Sequence, residues 1–190
     1  MSARARISPT TFEGPVHYSR PSDFERFVLK KDSQTVDIDT SDACRLAAVS
    51  MARQAARSIE IVSRKLDPPM YDNDDFCQAV SRLVTGSRRA RVRVLLRQVD
   101  PVMRHGHRLL NVAHRLSSFI EMRVPAPEYD DFNGAFLVVD GTGIIDRRLS
   151  DRFEARVSFN DPRAAQELRR QFEEMWQTSV SNANLRRSYI

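Results

Sequence analysis

The sequence predicts an α/β domain, a mixed β-sheet flanked by helices on both faces. Three observations carry that prediction. As far as Val124, short β-branched runs alternate with helical segments, which implies right-handed crossovers and parallel pairing. Three further β-like runs between 135 and 159 are joined by short turns, which implies antiparallel pairing. A last amphipathic helix follows Asp161-Pro162. Parallel and antiparallel strands with helices before and after them make a mixed sheet covered on both sides.

The elements follow in order. Residues 1 to about 36 show no sustained periodicity, and Pro9, Gly14, Pro15 and Pro21 interrupt them. They are expected to form a loosely ordered N-terminal arm (1–36), which Phe12, Tyr18, Phe24 and Phe27 would pin to a domain spanning 37–180. Ser41 or Asp42 is the expected cap of an alanine-rich helix running from Asp42 to Arg57. Ile59 to Ser63 reads as a strand. Asp67-Pro68-Pro69 is expected to be an extended turn. Asn73 to Thr85 is a helix with Phe76, Val80 and Leu83 on one side and Gly86 as its stop. In the strand Ala90 to Arg97, Val92, Val94 and Leu96 share one face; Arg91, Arg93, Leu95 and Arg97 share the other. One helix is expected over His105 to Ser117, then a strand over Phe119 to Val124. The runs Ala135–Asp140 and Gly143–Arg147 flank a hairpin turn at Asp140-Gly141, and Phe153 to Phe159 completes the strands. Asp161 caps the last helix, with Pro162 in its first turn; Ala165, Leu168, Phe172, Met175 and Trp176 form its apolar stripe. Residues 181–190 form a polar C-terminal tail.

Thirty residues are Lys or Arg and 25 are Asp or Glu, for a formal charge of +5; 27 of the 30 cations are arginine. Arginine's planar, permanently charged fork suits phosphate and carboxylate, so nucleic acid is a candidate partner. GC-rich coding accounts for the same excess without any mechanism. Local groups carry more information than the total: Arg88, Arg89, Arg91, Arg93 and Arg97 form one, and Arg147, Arg148 and Arg152 another. No apolar run reaches the roughly 20 residues of a membrane-spanning helix, and no secretory h-region precedes Arg20. Cys44 and Cys77 lack metal-site spacing and are expected to be small buried hydrophobes. A cytoplasmic protein without metal or cofactor is expected.

Residues 42–178 resemble one half of the phospholipase D-like superfamily. Ser58-Ile59-Glu60-Ile61 with Phe76 to Leu83, and Val92 to Leu96, are similar to the opening strands and helix of that family. Phe136 to Gly141 resembles the body of its signature strand, His-x-Lys-x4-Asp. Phe153 to Val157 and Phe172-x3-Trp176 resemble its closing strand and helix. In that register the signature histidine falls on Asn133, the lysine on Ala135 and the aspartate on Asp140. The family's histidine is a nucleophile and its lysine holds phosphate oxygens; Asn133 and Ala135 supply neither function. Asp140 remains, but an Asp before Gly is also a good hairpin residue. The resemblance further implies dimers, because family members with a single half share one site between two copies.

Candidate anion-binding residues are Arg64, His107, Arg108, Arg147 and Arg148. Arg64 follows the first strand, whose end lines the crevice of an open α/β sheet; it either edges a pocket with Asp67 or pairs with Asp67 across the Pro68-Pro69 turn. Arg97 to Asp100 shares that rim. His105 and His107 sit near a helix start, where an anion is favoured, while His107 and His114 are too far apart for one metal ion. His17 lies in the arm. Arg147 and Arg148 either replace the missing lysine or lie on an exposed hairpin arm. Glu128, Asp130 and Asp131 read as a solvated loop rather than a cation site. Three functions follow: a non-catalytic module binding a phosphate-containing ligand or nucleic acid, a protein-interaction or homodimerisation scaffold, and a phosphodiesterase with displaced residues such as His107 with Asp140.

Overall fold

A computed structural model describes residues 24–182 and Leu185. Seven strands form one sheet: β1 (Thr35–Ile38), β2 (Ser58–Ser63), β3 (Arg91–Leu96), β4 (Ile120–Arg123), β5 (Ala135–Val139), β6 (Gly143–Arg147) and β7 (Ala155–Ser158). Their spatial order is β1-β7-β6-β5-β2-β3-β4. β2, β3 and β4 are parallel, whereas β5 joins β2 antiparallel and the remaining pairs are antiparallel. The mixed sheet is the expected one, with one strand more.

That strand, β1, lies in the segment read as an arm. Val36 and Ile38 are buried in the core while Asp37 points outward, a two-residue period too short to stand out in sequence. The boundary placed between 36 and 37 therefore falls inside β1. Phe24 and Phe27 stack on Phe159 at 6.3 and 5.3 Å, and Ser50 Oγ donates to Phe24 O at 2.7 Å. Phe12, Tyr18 and His17 lie outside the described residues.

The helices are α1 (Ser41–Gln54), α2 (Pro68–Tyr71), α3 (Asp74–Gly86), α4 (Val99–His105), α5 (Arg108–Arg115) and α6 (Pro162–Thr178). Thr40, not Ser41 or Asp42, caps α1 by accepting the Ala43 N–H at 3.2 Å. Asp67-Pro68-Pro69 is not an extended turn: proline tolerates the first helical turn, and α2 starts there. The single helix expected from His105 is two. Gly106 adopts φ +71°, a conformation open to glycine, and it separates α4 from α5. Asp161 caps α6 through the Ala164 N–H at 2.9 Å, as expected.

Alternation along the strands sorts the core into two layers. Ile59, Ile61, Val92, Val94, Leu96, Leu137 and Val139 face α1, α3 and α5. Val62, Leu95, Phe136, Val138 and Ile144 face α6 through Phe172, Met175 and Trp176. A polar strap supports the second layer. Buried Glu60 accepts from Arg93 Nη2 at 2.6 Å and from Arg169 Nε at 2.9 Å, and Arg93 also bonds Glu173. Arg93 lies 4.8 Å from the Phe172 ring centre. The basic strand thus spends its central arginine on docking α6. Glu60→Ala is expected to cost about 2 kcal/mol, because it strips a buried acceptor from two cations. Glu173→Ala, at a more exposed site, should cost under about 1 kcal/mol. Urea denaturation of the two variants checks the ranking, and equal losses would refute it.

Candidate functional site

β2 and β3 end side by side at Ser63 and Leu96. β5 begins antiparallel to β2, with Phe136 level with Val62, so Asn133 to Ala135 lie beside the carboxyl ends of both parallel strands. β6 ends there too, with Arg147 opposite Ala135. This edge is where ligands bind in open α/β sheets.

Opposed residues of an antiparallel pair share a face, so Arg147 emerges on the same side as Ala135. It is buried: its side chain and that of Asp67 are each 2 % exposed. Nη1 donates to Asp67 Oδ2 at 2.8 Å, Nη2 to Ser150 O at 2.8 Å and Nε to Arg152 O at 2.7 Å. The Phe153 ring lies 4.8 Å away, and Ser63 Oγ donates to Asp67 Oδ2 at 2.9 Å. Arg147 is therefore not an exposed hairpin arm, and Asp67 pairs with it rather than with Arg64. The β5–β6 register turns Arg147 inward, beneath the turn that opens α2.

Above this pair lies a second layer of charge. Arg97 Nη1 donates to Asp130 O at 3.1 Å and Nη2 to Ser150 Oγ at 3.3 Å. Its buried Nε–H has no acceptor among the described residues. Ser150 N–H donates to Asn133 O at 2.7 Å, so Ser150 ties Arg97, Arg147 and Asn133 together. Arg64 extends the layer outward. Gln98 N–H donates to Arg64 O at 2.7 Å. In the orientation that satisfies both groups, the Gln98 side-chain oxygen accepts from Arg64 Nε at 3.1 Å and Nη2 at 3.3 Å. Burial lowers the pKa of Arg97, and the neighbouring Arg64 charge lowers it further against the opposing pull of Asp130. Among the described residues, neither Arg64 nor Arg97 forms an ion pair with a carboxylate. Ser150 gave no signal in the sequence; Arg97 did, as the residue ending the strand beside Ser63-Arg64.

The other candidates are spent on other contacts. His107 caps α5: Nδ1 accepts the Leu109 N–H at 3.2 Å, which leaves Nε2–H to donate to Leu66 O at 2.9 Å. Burial lowers its pKa despite Asp72 nearby, and the imidazole is neutral. Exposed Arg108 pairs with Asp72 and Asp74. Arg148 lines a separate groove with Asp37, Asp146 and Arg156. Asp140 sits at the start of β2, where its carboxylate accepts the Ala56, Arg57 and Ser58 N–H groups and the Lys30 ammonium. His107 contacts Leu66, past the other end of that strand, and six residues of strand span about 17 Å. His107 and Asp140 therefore form no catalytic pair. Cys44 and Cys77 are free and buried, and burial pushes their thiols up to about 12 and about 11. Among the described residues, no helix is long and apolar enough to cross a membrane.

Residues 40–187 match the model of a family described as a domain of unknown function, DUF7931. The chain belongs to this family. No curated protein matches the DUF7931 sequence. Its fold is shared with three solved structures. TrmBL2, an archaeal chromatin protein whose structure shows a novel mode of DNA binding, is 17% identical with a TM-score of 0.57, over 78% of this chain and 54% of TrmBL2. The DUF7931 chain thus spans about half of that relative. Nuc from Salmonella typhimurium, a phospholipase D family member, is 14% identical with a TM-score of 0.52, over 78% of this chain and 96% of Nuc. NucT from Helicobacter pylori is 10% identical with a TM-score of 0.50, over 78% and 99%. The DUF7931 fold is phospholipase D-like.

Proposed function

We propose that this domain binds a phosphate-containing anion at the carboxyl ends of β2 and β3, and that it binds without cleaving it. The observation that carries the reading is the meeting of Arg64 and Arg97 on the rim that holds Asn133, neither of them in an ion pair within the described residues. Two like charges held together lower their free energy by taking an anion. Arginine forks match phosphate oxygens in geometry as well as charge. Arg147 contributes as support, because Asp67 already matches its charge. Asn133 has no basic nitrogen to attack phosphorus and Ala135 no cation to hold it, so those two positions supply neither the nucleophile nor the lysine charge that cleavage would use. The likeness to TrmBL2 favours nucleic acid among such anions, at the level of fold.

Fluorescence anisotropy with labelled single- and double-stranded DNA and RNA, together with calorimetry on inorganic phosphate, tests this. Affinity is expected to fall as salt rises, because phosphate contacts release counterions. Arg64→Ala and Arg97→Ala should each weaken binding about tenfold, a typical cost for one charge-assisted contact. Binding that ignores both substitutions would sink the site. Measurable hydrolysis of a phosphodiester would sink the non-catalytic half.

A further inference from the structure

We infer that the crevice takes the terminal phosphate of a phosphomonoester in preference to an internal phosphodiester; this rests on the phosphate-binding reading above. Charge is the first reason. Asp67 pairs with Arg147, whereas Arg64 and Arg97 form no ion pair within the described residues and the pull of Asp130 on Arg97 is smaller than the push of Arg64. A terminal phosphate carries close to two negative charges at neutral pH, whereas a backbone phosphodiester carries one. The dianion matches the pair, and the diester leaves one cation unmet.

The surroundings give a second reason. Asp130 lies against Arg97, which bonds its carbonyl and feels its carboxylate. Glu128 and Asp131 are exposed in the same loop. A phosphodiester strand has to leave its bound phosphate in two directions, and one of them runs along this acidic loop. Like charges there repel the strand. A terminal phosphate leaves in one direction only and avoids the loop.

Donor count is the third reason. A terminal phosphate presents three free oxygens and a diester two. Among the described residues the Arg97 Nε–H is buried without an acceptor, and the exposed Asn133 side chain, on the same rim, makes no hydrogen bond. A third oxygen would take the Asn133 amide, and the Nε–H once the Arg97 side chain turns outward. Nothing in this arrangement reads a base or a sugar, so the chemistry common to free phosphate, a small monoester and a phosphorylated strand end is what the site recognises.

Calorimetric titration of the full chain with methyl phosphate, dimethyl phosphate and inorganic phosphate tests the preference. A parallel titration uses one short single-stranded oligonucleotide carrying either a 5′-phosphate or a 5′-hydroxyl. Methyl phosphate is expected to bind about tenfold tighter than dimethyl phosphate, and the 5′-phosphate strand tighter than the 5′-hydroxyl strand by a similar factor. Arg64→Gln, at an exposed side chain that leaves the core intact, should erase both preferences, and so should Arg97→Gln. The strand end is the source if the 5′-phosphate oligonucleotide outbinds inorganic phosphate; a small molecule is the source if it does not. Equal or tighter binding of dimethyl phosphate and the 5′-hydroxyl strand overturns the inference and leaves phosphate binding standing. Failure of every probe to bind overturns both.

Discussion

Arg147→Met is expected to destabilise the domain by about 3–5 kcal/mol, the usual cost of removing one partner from a buried ion pair. The mechanism is the stranded carboxylate. Asp67 is 2 % exposed, and without Arg147 only Ser63 Oγ–H is left to hold it. Ser150 O and Arg152 O lose their donors in the same substitution. The double variant Arg147→Met with Asp67→Leu should recover much of the loss, because it removes both charges and fills similar volume. Urea denaturation of the three proteins decides this; a single-variant loss below about 1 kcal/mol would contradict a buried pair. A functional consequence follows. Ser150 bonds both Arg147 and Arg97, so the double variant should fold yet bind anions more weakly than the wild type.

Asp140→Ala is expected to cost about 3 kcal/mol, because it orphans backbone N–H groups at Ala56, Arg57 and Ser58, each worth roughly 1 kcal/mol or more. Those donors lie where α1 hands over to β2, and Lys30 closes the cluster from the N-terminal segment. The pH dependence has a definite sign. Burial works to raise the Asp140 pKa, but Lys30 and the three backbone donors outweigh it and hold the carboxyl below its ordinary value. The stabilisation is therefore complete above the ordinary carboxylate pKa and is lost as pH falls through the lower folded value. Wild type and Asp140→Ala should converge in stability under acid, as read by denaturation at a series of pH values. A gap that stays constant down to pH ~2 would contradict that linkage. Asp140 is on this account a piece of scaffolding. Its φ of +52° next to Gly141 at +70° places it in the hairpin turn that its sequence context indicates.

Much of the fold was legible because periodicity reports burial. The alternation of Val92, Val94 and Leu96 against Arg93 and Leu95 put the right residues on the right faces of β3. The stripe from Ala165 to Trp176 marked α6 from end to end. β1 escaped notice because four residues after a proline-interrupted stretch carry too little pattern, and only pairing with β7 gives them a partner. Gly106 was visible, but a glycine inside a helical pattern does not announce a positive φ. The site was legible only in part. Arg64 and Arg97 were placed on one rim because both follow strands that a crossover makes parallel. His107 was singled out for its place at a helix start and Arg148 for its place beside the signature strand; in space the His107 ring is spent on capping α5 and on Leu66 O, Arg108 on Asp72 and Asp74, and Arg148 lines another groove.

Arginine abundance, and the presence of Asn133 and Ala135 seven and five residues before Asp140, are readable without coordinates because each depends on residue identity and spacing alone. Which arginines are free is a different kind of fact. Arg93, Arg108 and Arg147 are matched by Glu60, Asp72 and Asp67, partners 33, 36 and 80 residues away. Arg64 and Arg97 have none within the described residues. Charge neutralisation falls off over a few ångströms and takes no account of distance along the chain. Only the tertiary fold could therefore bring Arg64 and Arg97 together without a paired carboxylate.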